Sequence, residues 1–173
     1  MKTILQTGDP TLRRIAKPIS KSEILSPRIK KLIVEMKKLL AKEELGVALA
    51  APQVGESLRL FLVAGKALAE RNKKGEIVGE SPDLVFINPE VLRVSRTKKE
   101  MHEGCLSLRG KWGIVPRAQK MSVRACDEQG NLFTHNATGL LAHIFQHEMD
   151  HLEGVLYTDK AKFVYDEKDE IKR

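Results

Sequence analysis

The feature that most restricts the fold is a strongly apolar helical pattern near the end of the chain, from Gly139 to Leu152. One face of this segment is entirely apolar: Leu141, Phe145, Met149 and Leu152. A second face combines apolar side chains with two histidines: Leu140, Ile144, His147 and His151. A helix that is apolar on nearly all sides is a buried one. We therefore predict a central buried helix around which the rest of the chain must pack.

The same segment contains the pattern H-E-x-x-H, which reads HEMDH from His147 to His151. Helical residues four apart are rotated by roughly 40° and separated by about 6 Å along the axis, so both rings can point at one ion. Glu148 lies about 100° round from His147, where it can reach a water molecule beside the ion. The alternative is two ordinary core histidines, but burying two imidazoles and a carboxylate is costly unless they are paired. The pattern therefore favours a metal hydrolase, in which the metal acidifies water and the glutamate accepts its proton.

Two histidines do not complete such a site, and the third ligand must be found elsewhere. Metzincins place a third histidine where this chain has Tyr157, and the short remainder of the chain leaves little room for a glutamate on a later helix. The strongest upstream candidate is Cys105, in the stretch HEGCLSL. A Cys-His-His set leaves a fourth position for water, as catalytic sites require, and its thiolate suits Fe²⁺ as well as Zn²⁺. No export signal is expected from the first residues, so free thiols are favoured over a disulfide between Cys105 and Cys126.

The remaining pattern indicates one α+β domain spanning residues 1–173. A helix is predicted to begin at Pro27, with Ser26 as its cap; its apolar residues recur from Ile29 to Leu40, and Gly46 lies beyond its end. Short apolar or β-branched stretches predict strands at Leu58–Ala64, Leu84–Asn88, Glu90–Ser95 and Met121–Asp127. The sequence DEQGN predicts a hairpin turn after the last of these, and residues 70–83 are expected to form an exposed loop or hairpin.

A stretch of small residues, GVALAAPQVG from Gly46 to Gly55, follows the first helix. Small side chains let the backbone approach a ligand closely, and Gln53 after Pro52 would offer an amide group at a fixed place. On its own, the stretch is equally consistent with a tight turn.

Together, GVALAAPQ, EGCLS and HEMDH resemble the three motifs of the peptide deformylase family, in the order in which that family carries them. The resemblance runs from about Asp9 to Tyr157. It implies a metal-dependent hydrolase that removes the formyl group from N-formylmethionyl nascent peptides and releases formate. It also implies mostly antiparallel sheets packed around the helix that carries HExxH.

The resemblance further implies roles for particular residues. The metal ligands would be Cys105, His147 and His151, holding one divalent ion per chain, natively Fe²⁺, with Zn²⁺, Ni²⁺ or Co²⁺ also possible. Water activated at that ion would attack the formyl carbon, with Glu148 as general base and acid. The side-chain amide of Gln53 and the backbone N–H of Leu106 would bind the oxyanion.

Substrate-binding positions are expected at Val47, Ala48 and His143. From its position on the helix, His143 is also expected either to contact the residues that hold the metal or to pack in the core.

The chain departs from the family pattern in three places. Ala48 replaces the second motif glycine, Arg109 replaces the usual proline after EGCLS, and only a short charged tail follows Tyr157 in place of the long ribosome-docking helix of many bacterial relatives. These departures motivate an alternative, a related amidase with shifted acyl or peptide specificity.

Charge and composition add expectations about partners. Lysine and arginine exceed aspartate and glutamate by 30 to 23, a net charge of +7 that favours an anionic neighbour such as RNA or simply a solvated basic surface. Aromatic residues make up only 5% and no nucleic-acid motif is present, which disfavours a stacking-type RNA binder. A binding protein with a structural metal is a further alternative, which Glu148 argues against. We expect a cytoplasmic monomer without a membrane segment, acting on formylated peptides, with contact to the ribosome surface as a possible addition.

Overall fold

The computed structural model describes residues 2–68, 70–71, 77–79 and 81–167. The helices within these ranges are α1 (Lys21–Ile24), α2 (Pro27–Leu40), α3 (Gly65–Leu68) and α4 (Gly139–Leu152). The strands within them are β1 (Ala48–Ala50), β2 (Leu60–Val63), β3 (Glu70–Arg71), β4 (Ile77–Val78), β5 (Leu84–Val94), β6 (Lys98–Cys105), β7 (Leu108–Ala118), β8 (Lys120–Cys126), β9 (Leu132–Thr138) and β10 (Phe163–Asp166). Short 3₁₀ turns occupy Pro10–Arg13, Ala51–Val54 and Tyr157–Asp159. No helix in the described part of the chain is long and apolar enough to cross a membrane.

The strands form antiparallel sheets. Five strands pair in the order β1-β2-β5-β8-β9, three in the order β10-β7-β6, and β3 pairs with β4. Helix α4 contacts strands of both larger sheets, among them β9, β8 and β1 of the first and β7 of the second. The α+β class with antiparallel sheets is therefore confirmed, and the predicted start of α2 and the predicted bounds of α4 match the structure.

Strand β2 shows how both faces of the five-stranded sheet are covered. Leu60 and Leu62 join the apolar cluster around α2, whereas Phe61 and Val63 join the cluster around α4. Successive side chains of a strand point to opposite faces, so the sheet lies between these two helices. A strand buried on both faces reads as a continuous apolar run, which is why LFLV was recognisable as a strand.

Strand β5 differs from the prediction of two strands separated at Asn88 and Pro89. The chain continues as one strand from Leu84 to Val94, with a register shift against β8 between Ile87 and Glu90. Asn88 adopts a positive φ of 51°, and its side chain accepts from the Ile19 N–H at 2.8 Å and donates to the Ile19 carbonyl at 2.7 Å. These two hydrogen bonds hold a local irregularity in place, so the bulge bends the strand without ending it.

The expected burial of α4 was wrong at one residue. Leu140 was expected to be buried but is 57% exposed, because the first turn of α4 lies at the edge of a cavity. The small-residue stretch begins with β1 and turns only afterwards, at Ala51–Val54. The tail after Tyr157 includes strand β10, paired with β7. The predicted hairpin in residues 70–83 agrees with the β3–β4 pairing; residues 72–76 and 80 of that segment lie outside the described residues.

Candidate metal centre and active site

Three side chains bring potential metal-binding atoms together where the end of β6 meets α4. Cys105 Sγ lies 3.3 Å from His151 Nε2, and His151 Nε2 lies 3.1 Å from His147 Nε2. All three ligand atoms lie within 4.8 Å of one another. The histidines are one helical turn apart on α4, and Cys105 comes from a strand more than 40 residues earlier in the sequence. The structure thus assembles the Cys-His-His set that the sequence predicted.

The spacing of these atoms is compatible with their holding one ion. Bonds of about 2.0–2.3 Å place neighbouring ligand atoms roughly 3.3–3.6 Å apart, and the spacings of His151 Nε2 from Cys105 Sγ and from His147 Nε2, 3.3 and 3.1 Å, are close to this range. Both histidines direct Nε2 toward the cluster, and Nδ1 of His147 lies 2.6 Å from Glu103 Oε1. A carboxylate on the second ring nitrogen leaves the lone pair of the first available for a metal.

Glu103 is one of the residues of this site that the sequence analysis missed. Its carboxylate is buried and contacts His147, His143 Nε2 at 3.2 Å and Arg117 Nη2 at 2.8 Å. Burial by itself would raise the pKa of Glu103, but the hydrogen bonds from His143 and His147 and the Arg117 ion pair hold that pKa far below its ordinary value. Glu103 is therefore ionised. The sequence does contain a sign of its role, because alternation along a strand puts residues 103 and 105 on the same face of β6.

Arg117 connects this carboxylate to the helix. Its Nη1 also donates to Asp150 Oδ2 at 2.5 Å, so it is paired with one acid from β6 and one from α4. Burial would lower the pKa of Arg117, but the hydrogen bond and charge of Glu103, together with Asp150, raise it above its usual value. A buried charge paired on both sides avoids most of the cost of desolvation and fixes the relative position of the two elements.

Glu148 is buried at 3% exposure, and among the described residues its Oε2 has no hydrogen-bond partner. Burial raises the pKa of Glu148 to about 7, although the charge of His147 acts in the opposite direction. A carboxyl group with a pKa near neutral can both accept and return a proton, which is the property required of a general base and acid.

Gln53 lies beside Cys105 of this cluster. Its Oε1 accepts from the Ala50 N–H at 2.8 Å, and its Nε2 donates to Ser107 Oγ at 3.2 Å and lies 3.5 Å from Cys105 Sγ. The Ser107 N–H in turn donates to Cys105 Sγ at 3.4 Å. The 3₁₀ turn that carries Gln53 and the turn that follows β6 are thus joined at the cluster. Ser107 was not predicted as a site residue.

A cavity of about 510 Å³ opens onto these groups. The predicted substrate positions Val47, Ala48 and His143 line it, as do Leu106, Gln53 and Glu148. Leu106 lies in the turn between β6 and β7, and its carbonyl accepts from Gln6 Nε2 at 3.0 Å. At the rim, Arg109 forms a two-point ion pair with Glu43, at 2.7 and 3.1 Å. His143 therefore faces the cavity and also supports Glu103.

The chain was compared with known proteins. Residues 1–166 match the family model described as polypeptide deformylase. The peptide deformylase of Carboxydothermus hydrogenoformans is 40% identical over 159 residues, covering 91% of each protein. Peptide deformylase 2 of a Nostoc species is 40% identical, covering 92% of this chain and 85% of that protein.

Solved structures give the same result. The class I type b peptide deformylase of Acinetobacter baumannii, crystallised with Met-Ala-Ser, superimposes with a TM-score of 0.81 at 32% identity, covering 92% of this chain and 98% of that one. The peptide deformylase of Thermotoga maritima gives a TM-score of 0.80 at 32% identity, covering 94% and 99%. The chain belongs to the polypeptide deformylase family, metal-dependent hydrolases that remove the formyl group from nascent peptides.

Proposed function

We propose that this protein hydrolyses the formyl amide of N-formylmethionyl peptides at the cluster of Cys105, His147 and His151, with Glu148 as the proton-transfer group. One observation carries the assignment of roles. Glu148, a buried carboxyl whose Oε2 has no hydrogen-bond partner among the described residues and whose pKa is about 7, directly follows a histidine of the three-residue cluster and lines the cavity. Such a group has no evident structural purpose, but it is suited to moving a proton.

The ligand set supports one divalent ion per chain, held by Cys105, His147 and His151. Such an ion acts as a Lewis acid and lowers the pKa of water toward roughly 7. The thiolate among the ligands supports Fe²⁺ as the native ion, and the same set accepts Zn²⁺, Ni²⁺ or Co²⁺. Glu103 holds the ring of His147 in place, and Arg117 holds Glu103.

The chain's own groups account for the proton and charge movements of the reaction. Glu148 accepts a proton from the attacking water as the bond between water oxygen and formyl carbon forms. The oxygen of the formyl group becomes negatively charged, and the Gln53 Nε2–H and the Leu106 N–H donate to it. Glu148 then passes its proton to the peptide nitrogen as the carbon–nitrogen bond breaks, which leaves formate and a free methionyl amine. One oxyanion donor typically contributes about 10²–10³ in rate.

Substrate contacts are assigned to Val47, Ala48 and His143, all of which line the cavity. The methyl group of Ala48 narrows a position where a glycine would leave room, and the Glu43–Arg109 pair ties the two walls of the rim together. These two features are the reason to keep a related amidase, with shifted acyl or peptide specificity, as the second candidate.

One experiment separates the two candidates. Protein purified without oxygen is assayed for formate release from formyl-Met-Ala, with metal analysis of the same sample and acetyl-Met-Ala as comparison. We expect one metal per chain and turnover of the formyl peptide only. Faster turnover of acetyl-Met-Ala, or of formyl peptides without methionine, would support the second candidate.

We further infer that α4 is the central helix of one catalytic domain spanning residues 1–173, and that the protein acts as a monomer in the cytoplasm. The buried residues of α4 and its contacts with both larger sheets support the first point. The net charge of +7 supports contact with an anionic surface such as the ribosome. The segment that follows Tyr157 forms β10 against β7, so any such contact would not use a long helix at this position.

A further inference from the structure

The outward face of the three-stranded sheet carries an aromatic row beside the cavity. Residues directly opposite in an antiparallel pair point to the same face, and the register aligns Gly104 on β6 with Trp112 on β7 and Tyr165 on β10. Two residues further along the strands, Ile114 on β7 is aligned with His102 on β6 and with Phe163 on β10.

This face is turned away from the core. The alternate residues of the same strands, Glu103, Gly113 and Val115, are buried, whereas His102 is exposed and Phe163 is 54% exposed. The rings contact one another: Phe163 stacks with Tyr165 at 6.1 Å between centroids, and Tyr165 Oη lies 2.5 Å from His102 Nδ1. Trp112 lies against Gly104, where an added Cβ would come within 3.4 Å of three indole atoms.

The aromatic row is continuous with the cavity. Trp112 and His102 line the cavity wall, and Gly104 directly precedes the metal ligand Cys105. A formylated nascent peptide has its reacting end in the cavity, so the rest of its chain must leave across the rim. Adjacent strands are about 4.8 Å apart, so β10 lies roughly 10 Å from β6, the length of about three residues of extended chain.

We infer that this aromatic face, formed by Trp112, Tyr165 and Phe163, binds the nascent peptide beyond its methionine and favours an aromatic side chain near the fourth position. The inference rests on the proposed function and names the substrate class more narrowly. Partly exposed aromatic rings bind other aromatic rings through offset and edge-to-face contacts, and they lose little conformational entropy in doing so. The continuity with the cavity favours a peptide over a separate partner as the occupant.

The test compares three substrates with the metal-loaded enzyme: formyl-Met-Ala, formyl-Met-Ala-Ala-Phe-Ala and formyl-Met-Ala-Ala-Ser-Ala. The Phe peptide should show a kcat/KM roughly two- to tenfold above that of the Ser peptide, the range expected for one aromatic pair. Phe163→Ser should remove this preference and leave formyl-Met-Ala unchanged, because Phe163 does not line the cavity. Val164→Ser is the matched control, since Val164 lies on the same strand and points to the opposite face, and it should keep the preference.

Trp112 supplies a direct binding signal, because it is the chain's single tryptophan. In metal-loaded Glu148→Gln, which we expect to bind peptides without cleaving them, tryptophan emission should saturate at a lower concentration of the Phe peptide than of the Ser peptide. The inference is overturned if the wild type treats the two long peptides alike, or if Phe163→Ser together with Tyr165→Ala keeps the preference. It is also overturned if these variants bind ribosomes less well than the wild type but keep its preference between the two long peptides. Failure to hydrolyse formyl-Met-Ala would instead count against the proposed function.

Discussion

The carboxylate of Glu103 lies 2.6 Å from Nδ1 of His147, while Nε2 of the same ring faces Cys105 and His151. One histidine thus connects a buried anion to the ligand cluster. The anion fixes the orientation and tautomer of the ring and raises its basicity as a ligand. Because Arg117 pairs with Glu103 at 2.8 Å, the anion remains charged in a buried position.

Replacing Glu103 should therefore weaken metal binding although Glu103 is not a ligand. Glu103→Gln keeps the size of the side chain and removes its charge. We expect a 10- to 100-fold loss of metal affinity, the usual effect of losing such a supporting group. Competition with a chelator measures this affinity. Glu100→Gln, on an exposed part of the same strand, is the control and should bind metal like the wild type. Equal affinities for both variants would contradict the role given to Glu103.

Cys105 should be required for metal retention. A neutral hydroxyl is a poor ligand compared with a thiolate, so Cys105→Ser should lose most of its metal during dialysis that leaves the wild type loaded. Cys126 is the matched control, because it is also a free cysteine but packs beside the core away from the cluster. Metal content per chain decides the matter: a stoichiometric ion in Cys105→Ser with unchanged affinity would show that the ligand set is wrong.

Local patterns predicted the helix that carries the two histidines of the cluster. The bounds of α4 followed from its apolar periodicity, and the spacing of His147 and His151 followed from helical geometry. The strand β2 was visible because burial on both faces makes it apolar throughout.

Long-range pairing could not be read from the sequence in the same way. Polar and charged residues make up most of β6 (KKEMHEGC), and the apolar residues of β7 are interrupted by glycine, lysine, proline and arginine, so neither strand stands out in the sequence. Glu103 and Arg117 lie on these two paired strands, four positions apart in the register, and their side chains meet along the sheet. Glu103 and Arg117 were therefore missed because their contact depends on sheet pairing, and Ser107 was missed because its contact with Gln53 joins two turns that are distant in the sequence.

Glu148→Gln should keep the metal and nearly abolish turnover. The variant side chain has the same shape but cannot accept a proton from water. Positioned proton transfer typically contributes about 10²–10⁴ in rate, so the remaining kcat should be at or below roughly one hundredth of the wild-type value. Metal analysis and formate release are measured on one preparation. Residual activity above about a tenth of the wild-type rate would exclude Glu148 as the base.

The same residue should make the stability of the metal-free protein depend on pH. Burial raises the folded-state pKa of Glu148 to about 7, from an ordinary value of 4.5. At a pH between 4.5 and 7, Glu148 is therefore protonated in the folded chain and ionised in the unfolded chain. The free energy of unfolding falls as the pH rises through this window and then levels off. The loss is on the order of 3 kcal/mol at most. Denaturant unfolding at pH 5 and pH 8 should show this loss of stability in the wild type and not in Glu148→Gln. The prediction is contradicted if wild type and variant differ in stability by the same amount at both pH values.

Gln53 should matter for both rate and stability, because its side chain has two separate roles in the structure. The Oε1 atom accepts from the buried Ala50 N–H, and Nε2 donates to Ser107 and reaches Cys105 Sγ. Gln53→Ala leaves these buried groups unpaired, which should lower the free energy of unfolding by about 1–3 kcal/mol. If the amide also donates to the oxyanion, it stabilises the transition state more than the bound substrate. The variant should then lose about 10²–10³ in kcat with little change in KM.

Ser107→Ala provides the comparison, since it removes one hydrogen bond of the Gln53 amide and leaves the amide itself in place. It should lose stability with a much smaller loss of kcat. If kcat per folded Gln53→Ala molecule stays within about tenfold of the wild type, Gln53 only holds the turn and takes no part in the reaction.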